Sequence, residues 1–143
     1  KTWPSKDGGT LATPYYKYFV VGGRDSVSPR ISRWEIESPT AQSLHPLIVS
    51  FHEPLDAILV KETIAVSDAQ GNTVDGKIEL VSEEIGLHFI PAGEWRGGVY
   101  KVSCESRLED LAGNNLNRLF DSDITVKQPG AIKDTFSIAF TIE

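Results

Sequence analysis

Hydrophobic residues in this chain recur at every second position in short runs, the period of a β-strand with one face buried and the other wet. The cleanest run lies near the end, where Phe136, Ile138, Phe140 and Ile142 alternate with Ser137, Ala139 and Thr141. Tyr100, Val102 and Cys104 alternate in the same way with Lys101, Ser103 and Glu105. Leu47, Val49 and Phe51 form an inward set, with Ser50 and His52 outward. Shorter inward pairs are Ile64 with Val66, Ile78 with Leu80, and Leu87 with Phe89. Over 30–37 the pattern of Ile31, Trp34 and Ile36 is interrupted at Ser32, and a first strand is expected there. The inward members predict a core of Trp34, Ile36, Val49, Phe51, Ile64, Val66, Leu87, Phe89, Tyr100, Val102, Ile138 and Phe140.

Between the runs lie residues that turn the chain. Pro54 brings no N–H and stops a ladder. Asp68-Ala69-Gln70-Gly71-Asn72 predicts a hairpin connection to Thr73 and Val74, and Asp75-Gly76 a bulge or second turn. Helical periodicity is absent, apart from short turns expected around Leu55 to Val60 and Leu116 to Phe120. About seven short strands separated by turn signals predict an all-β fold, an antiparallel two-sheet β-sandwich.

Residues 15–21, Tyr-Tyr-Lys-Tyr-Phe-Val-Val, are a further strand signal, followed by the linker-like Gly22-Gly23-Arg24-Asp25-Ser26. Residues 1–25 are therefore expected to be the tail strand and linker of a preceding module, and 26–143 the sandwich domain. The strand at 15–21 is expected to add to an exposed sheet edge, its own or that of a second copy, giving a route to self-association. With no Met in the sequence, Lys1 is expected to be the start of a processed chain or of a piece of a longer one.

Two stretches carry a resemblance. Tyr100-x-Val102-x-Cys104 followed by Leu108-Glu109-Asp110-Leu111-Ala112-Gly113-Asn114-Asn115-Leu116 resembles the last third of bacterial Ig-like domains of the S-layer-protein type (SbsA-like, Big_5). Phe51-x-x-Pro54-Leu55-Asp56 resembles that family's early strand, and Leu87-His88-Phe89-Ile90-Pro91 lies between the two where the family has a strand ending in Pro. The resemblance spans residues 38–142 and departs from the family pattern after Leu116. It implies an Ig-like sandwich acting as a non-catalytic structural or interaction module of an exported, multidomain bacterial cell-envelope protein. Its partners would be neighbouring domains of the same chain, and its place the periplasm, the cell surface or the medium.

The net charge of −6, with basic residues scattered, argues against a nucleic-acid partner. No apolar run reaches the length of a membrane span, and no basic-then-apolar leader opens the chain. The single cysteine, Cys104, falls on the apolar side of its strand and reads as a small buried hydrophobe.

Chemistry-bearing patterns are few. Asp110 is expected to cap a tight turn in which Gly113 or Asn114 takes positive φ, since Gly and Asn reach that conformation at low cost. Glu83-Glu84 and Glu109-Asp110 invite a glycosidase reading, but adjacent strand residues point to opposite faces and do not converge on one bond. Phosphate-loop, G-x-S-x-G and HExxH patterns are absent, so neither an enzyme nor a cofactor is predicted.

Trp95 either packs at a corner or offers an aromatic platform, which makes it the candidate contact of a glycan- or protein-binding, adhesin-like module. The segment from Pro39 to Phe51 bears a faint resemblance to small copper-carrying Ig-like proteins. In an Ig-like order His52 and His88 are expected on neighbouring strands, both outward and within reach of each other, and they are the candidate metal ligands beside His45. Two such histidines without a third ligand hold a metal weakly, and no metal centre is predicted.

Overall fold

The protein is described here by a computed structural model covering residues 27–120 and 133–143, together with Lys6, Gly9, Tyr16, Tyr18, Gly23 and Asp25. The strand expected at 15–21 lies outside the described residues, apart from Tyr16 and Tyr18, which are exposed.

The alternating runs become seven strands: β1 (Glu35–Glu37), β2 (Leu47–Ser50), β3 (Ile64–Asp68), β4 (Gly76–Leu80), β5 (Gly86–Pro91), β6 (Gly98–Glu105) and β7 (Thr135–Ile142). They pair antiparallel in two sheets, of order β1-β2-β5-β4 and β3-β6-β7. This is the strand order of a seven-stranded Ig sandwich of constant type. The chain changes sheet after β2, after β3 and after β5, so the two layers are stitched together three times.

Register places the inward residues in rungs. Ile36, Val49, Leu87 and Leu80 line up across the first sheet. Ile64, Cys104 and Phe136 line up across the second, followed by Val66, Val102 and Ile138. A row of aromatic rings crosses the interior: Phe89 to Trp95 at 6.0 Å, Trp95 to Tyr100 at 5.3 Å, and Tyr100 to Phe140 at 5.7 Å between centroids. Gly76 is required by close approach, because a Cβ there would stand 2.4 Å from the Phe89 ring.

The expected core is buried except for Ile36 and Ile138, which are half-buried. Both lie on strands with a partner on one side only, β1 and β7. Ile31, Leu55, Val60, Trp95, Leu108 and Ile142 join it.

Three expectations are corrected. The first strand is shorter than 30–37, because Ile31–Arg33 forms a 3₁₀ turn closed by Arg33 N–H to Arg30 O at 2.9 Å and Trp34 N–H to Ile31 O at 3.1 Å. Ile31 and Trp34, three apart, both reach the core through that turn, which explains the break at Ser32. The turn expected at Leu55 to Val60 is a helix, α1 (Ala57–Thr63), with Asp56 as its N-cap accepting from the N–H of Ile58 and Leu59 at 2.9 and 2.8 Å. Leu55 and Val60, both fully buried, occupy the positions of a hydrophobic staple. Finally, the hairpin after β3 is only begun. Thr73 makes an isolated bridge to Ser67 and the Val74 N–H bonds Val66 O at 2.8 Å, and the chain then crosses to the other sheet.

Candidate functional site

Polar side chains concentrate at one end of the sandwich, in the turn that follows β6. Asp110 is buried there, bridged to Leu55. One of its carboxylate oxygens accepts from the N–H of Ala112 at 2.8 Å and of Asn114 at 2.9 Å, and the other from the side-chain amide of Asn114 at 2.8 Å. The backbone closes the same loop through Gly113 N–H to Asp110 O and Asp110 N–H to Asn114 O. Gly113 has φ +83°, while Asn114 is not among the residues of positive φ.

Asn114 extends the network outward. Its Oδ1 accepts from the Phe120 N–H at 3.0 Å, and its Nδ2 also approaches Val27 O at 3.5 Å. The Asp56 N–H bonds Glu109 O at 2.9 Å, so the start of α1 is tied to the same turn. Next along the chain, Asn115 Oδ1 accepts from the N–H of Asn117 and Arg118, and Asn117 Nδ2 donates to Lys133 O at 2.8 Å. One Asp and three Asn thus fasten the incoming chain and both ends of the connection to β7, while the Glu109 carbonyl holds the start of α1.

Beside the turn is a shallow hollow lined by Asp25, Glu53, Pro54, Asp110, Leu111 and Ala112. Burial raises the Glu53 carboxyl above its ordinary value, and the charges of Asp110 and Asp25 push it further; Arg33 and the Arg30 backbone oppose the shift. Glu83 and Glu84 lie in a 3₁₀ turn with φ of +58° and +62°. The Glu84 carbonyl accepts from the Leu55 N–H.

The histidines do not meet. His52 falls beyond the end of β2 with φ +65° and faces Glu35, Nε2 to Oε1 at 3.4 Å. His88 sits on β5 between Ile48 and Glu79. Register separates the two histidines by four rungs, about 13 Å along the strands. His45 contributes its carbonyl, which accepts from the indole N–H of Trp95 at 2.8 Å. Among the described residues no group of three or more His, Cys, Asp or Glu is placed to hold a metal ion.

Trp95 is 2% exposed, so its ring faces are taken by the core and it offers no platform to a ligand. Cys104 is fully buried, its thiol pushed up to about 11 by desolvation, with Thr63 Oγ1 at 3.7 Å from its sulfur. A thiol so buried is inert at neutral pH.

Asn115 and Asn117 were not singled out by sequence pattern, although the Asn-Asn-x-Asn run was visible. Asn side chains that accept from the next backbone amides are a known turn device.

No protein-family model and no curated protein matches this chain. Among solved structures, the S-layer protein rSbsC(31-844) is similar over 57% of this chain and 12% of its own length, with 20% sequence identity and a TM-score of 0.45.

Proposed function

We propose that this chain is a non-catalytic Ig-like structural module of an exported, multidomain bacterial cell-envelope protein, a spacer or interaction unit between neighbouring domains. The observation that carries this reading is the destination of the polar side chains in the turn after β6. Both Asp110 oxygens and both polar atoms of Asn114 bind the chain's own turn, incoming segment and β7 connection. Trp95 and Cys104, the other reactive or ligand-gripping candidates, are inside the core. The motif resemblance around Phe51 to Asp56 and Tyr100 to Leu116 supplies the cell-envelope setting. In the parent protein, residues 15–21 would close the module before this one, leaving the segment after them as the hinge.

A thermal melt with soluble glycans, Cu²⁺ or Zn²⁺ tests it. An unchanged Tm is expected with each. A rise in Tm that grows with ligand concentration would convert the module into a binding domain, because a ligand that prefers the native state stabilises it by mass action.

A further inference from the structure

An edge strand presents a row of N–H and C=O groups without partners, so sheet edges are where a sandwich meets another chain. Among the described residues four strands form edges: β1, β4, β3 and β7. The first three are blunted. β1 has three residues, two of them Glu. β4 carries Lys77 and Glu79, paired at 2.6 Å. β3 is covered by residues 72–74 through the Thr73 bridge and the Val74 N–H. β7 is eight residues long and has neither a charge nor a proline. Among the described residues, the backbone of 135–142 bonds only to β6.

We infer that β7 pairs antiparallel with β7 of a second copy of this chain, about a two-fold axis at Ile138, so that two three-stranded sheets join into one of six strands. The reason for that occupant is the strand's near-mirror sequence, Thr-Phe-Ser-Ile-Ala-Phe-Thr over 135–141. With Ile138 opposite Ile138, Thr135 meets Thr141, Phe136 meets Phe140 and Ser137 meets Ala139. Thr–Thr and aromatic pairs across strands are favourable, and here they arise on the outer and inner faces respectively. Paired positions share parity, so the free backbone groups of one copy fall opposite those of the other. The symmetry closes on itself, which yields a dimer and no fibre.

Beside this edge lies a hollow, lined in part by Leu116 and by Lys133, whose Nζ stands 5.6 Å from the centre of the Phe136 ring. It runs between residues 29–32 and Thr135, Phe136 and Ser137, and this register lays the partner's 139–141 along it. Phe136 and Ile138 are only half-buried on the inner face, whereas Phe140 is buried. The pairing covers those two.

The register makes a charge test specific. In S137K/A139K, Lys stands opposite Lys at both symmetry-related pairs; in S137E/A139K, Glu stands opposite Lys at both. Positions 137 and 139 are exposed in the single copy, and melting curves check that each variant folds. By sedimentation equilibrium on the full chain, the native sequence is expected to dimerise. S137K/A139K should weaken the dimer at least about tenfold, and S137E/A139K should restore it to within about threefold of the native sequence. A chain that stays monomeric to millimolar concentration overturns the inference, as do two variants of equal affinity. Tyr18→Pro abolishing the dimer while S137K/A139K leaves it intact would overturn it too, and assign the contact to residues 15–21. The cell-envelope setting is tested separately, by surface labelling of intact cells carrying the parent chain.

Discussion

Asp110 is 6% exposed, and its charge is met by three N–H donors with no cation beside it among the described residues. Asp110→Ala would leave those donors short of an acceptor in a buried place, and a loss of about 2–4 kcal/mol is expected from denaturant unfolding. Glu53 behaves in the opposite sense. Its pKa is raised in the folded protein, by burial first and then by Asp110 and Asp25, so the ionised form weighs against folding at neutral pH. Native stability contributed by this group rises as pH falls through the raised value, and levels off below the ordinary carboxylate range. Glu53→Gln should therefore raise Tm at about pH 7 and leave it nearly unchanged at about pH 3. An equal effect at both pH values would show that packing, not charge, sets the difference. Positive φ at Gly113 was legible because few residue types adopt it cheaply. The reach of Asn114 was not, because one of its partners, Val27, is 87 positions away in sequence.

At the scale of elements, what the alternation made legible were the runs whose inner and outer faces meet different solvents, β2, β5, β6 and β7. What it showed only as a short turn at Leu55 to Val60 was α1, a seven-residue helix whose Ala-Ile-Leu-Val start reads equally well as a buried strand. The N-cap at Asp56 was the available signal, since its side chain supplies acceptors that a strand would not use. Asp56→Ala should cost about 1 kcal/mol, read from the midpoint of urea unfolding. Phe51, 1% exposed and 4.6 Å from Trp34 between ring centroids, lies just past β2 at the centre of the packing. Truncating it to Ala should cost about 3–5 kcal/mol. A much smaller loss would mean that the residues after Ser50 do not point inward as described.

For the whole molecule, the number of strands between 27 and 143 was legible among the described residues and their neighbours were not, because pairing depends on three sheet crossings that local pattern does not encode. Those crossings enclose one core, drawn among the described residues from 31–142, and the strands described around it all come from residues after 34. We propose that these residues are one self-sufficient sandwich, with 1–22 dispensable to it. Thermal unfolding of the chain lacking residues 1–22 tests this most directly. A single cooperative transition within a few degrees of that of the full chain is expected. A truncated chain with no cooperative transition would contradict it, and would make the strand at 15–21 part of this domain.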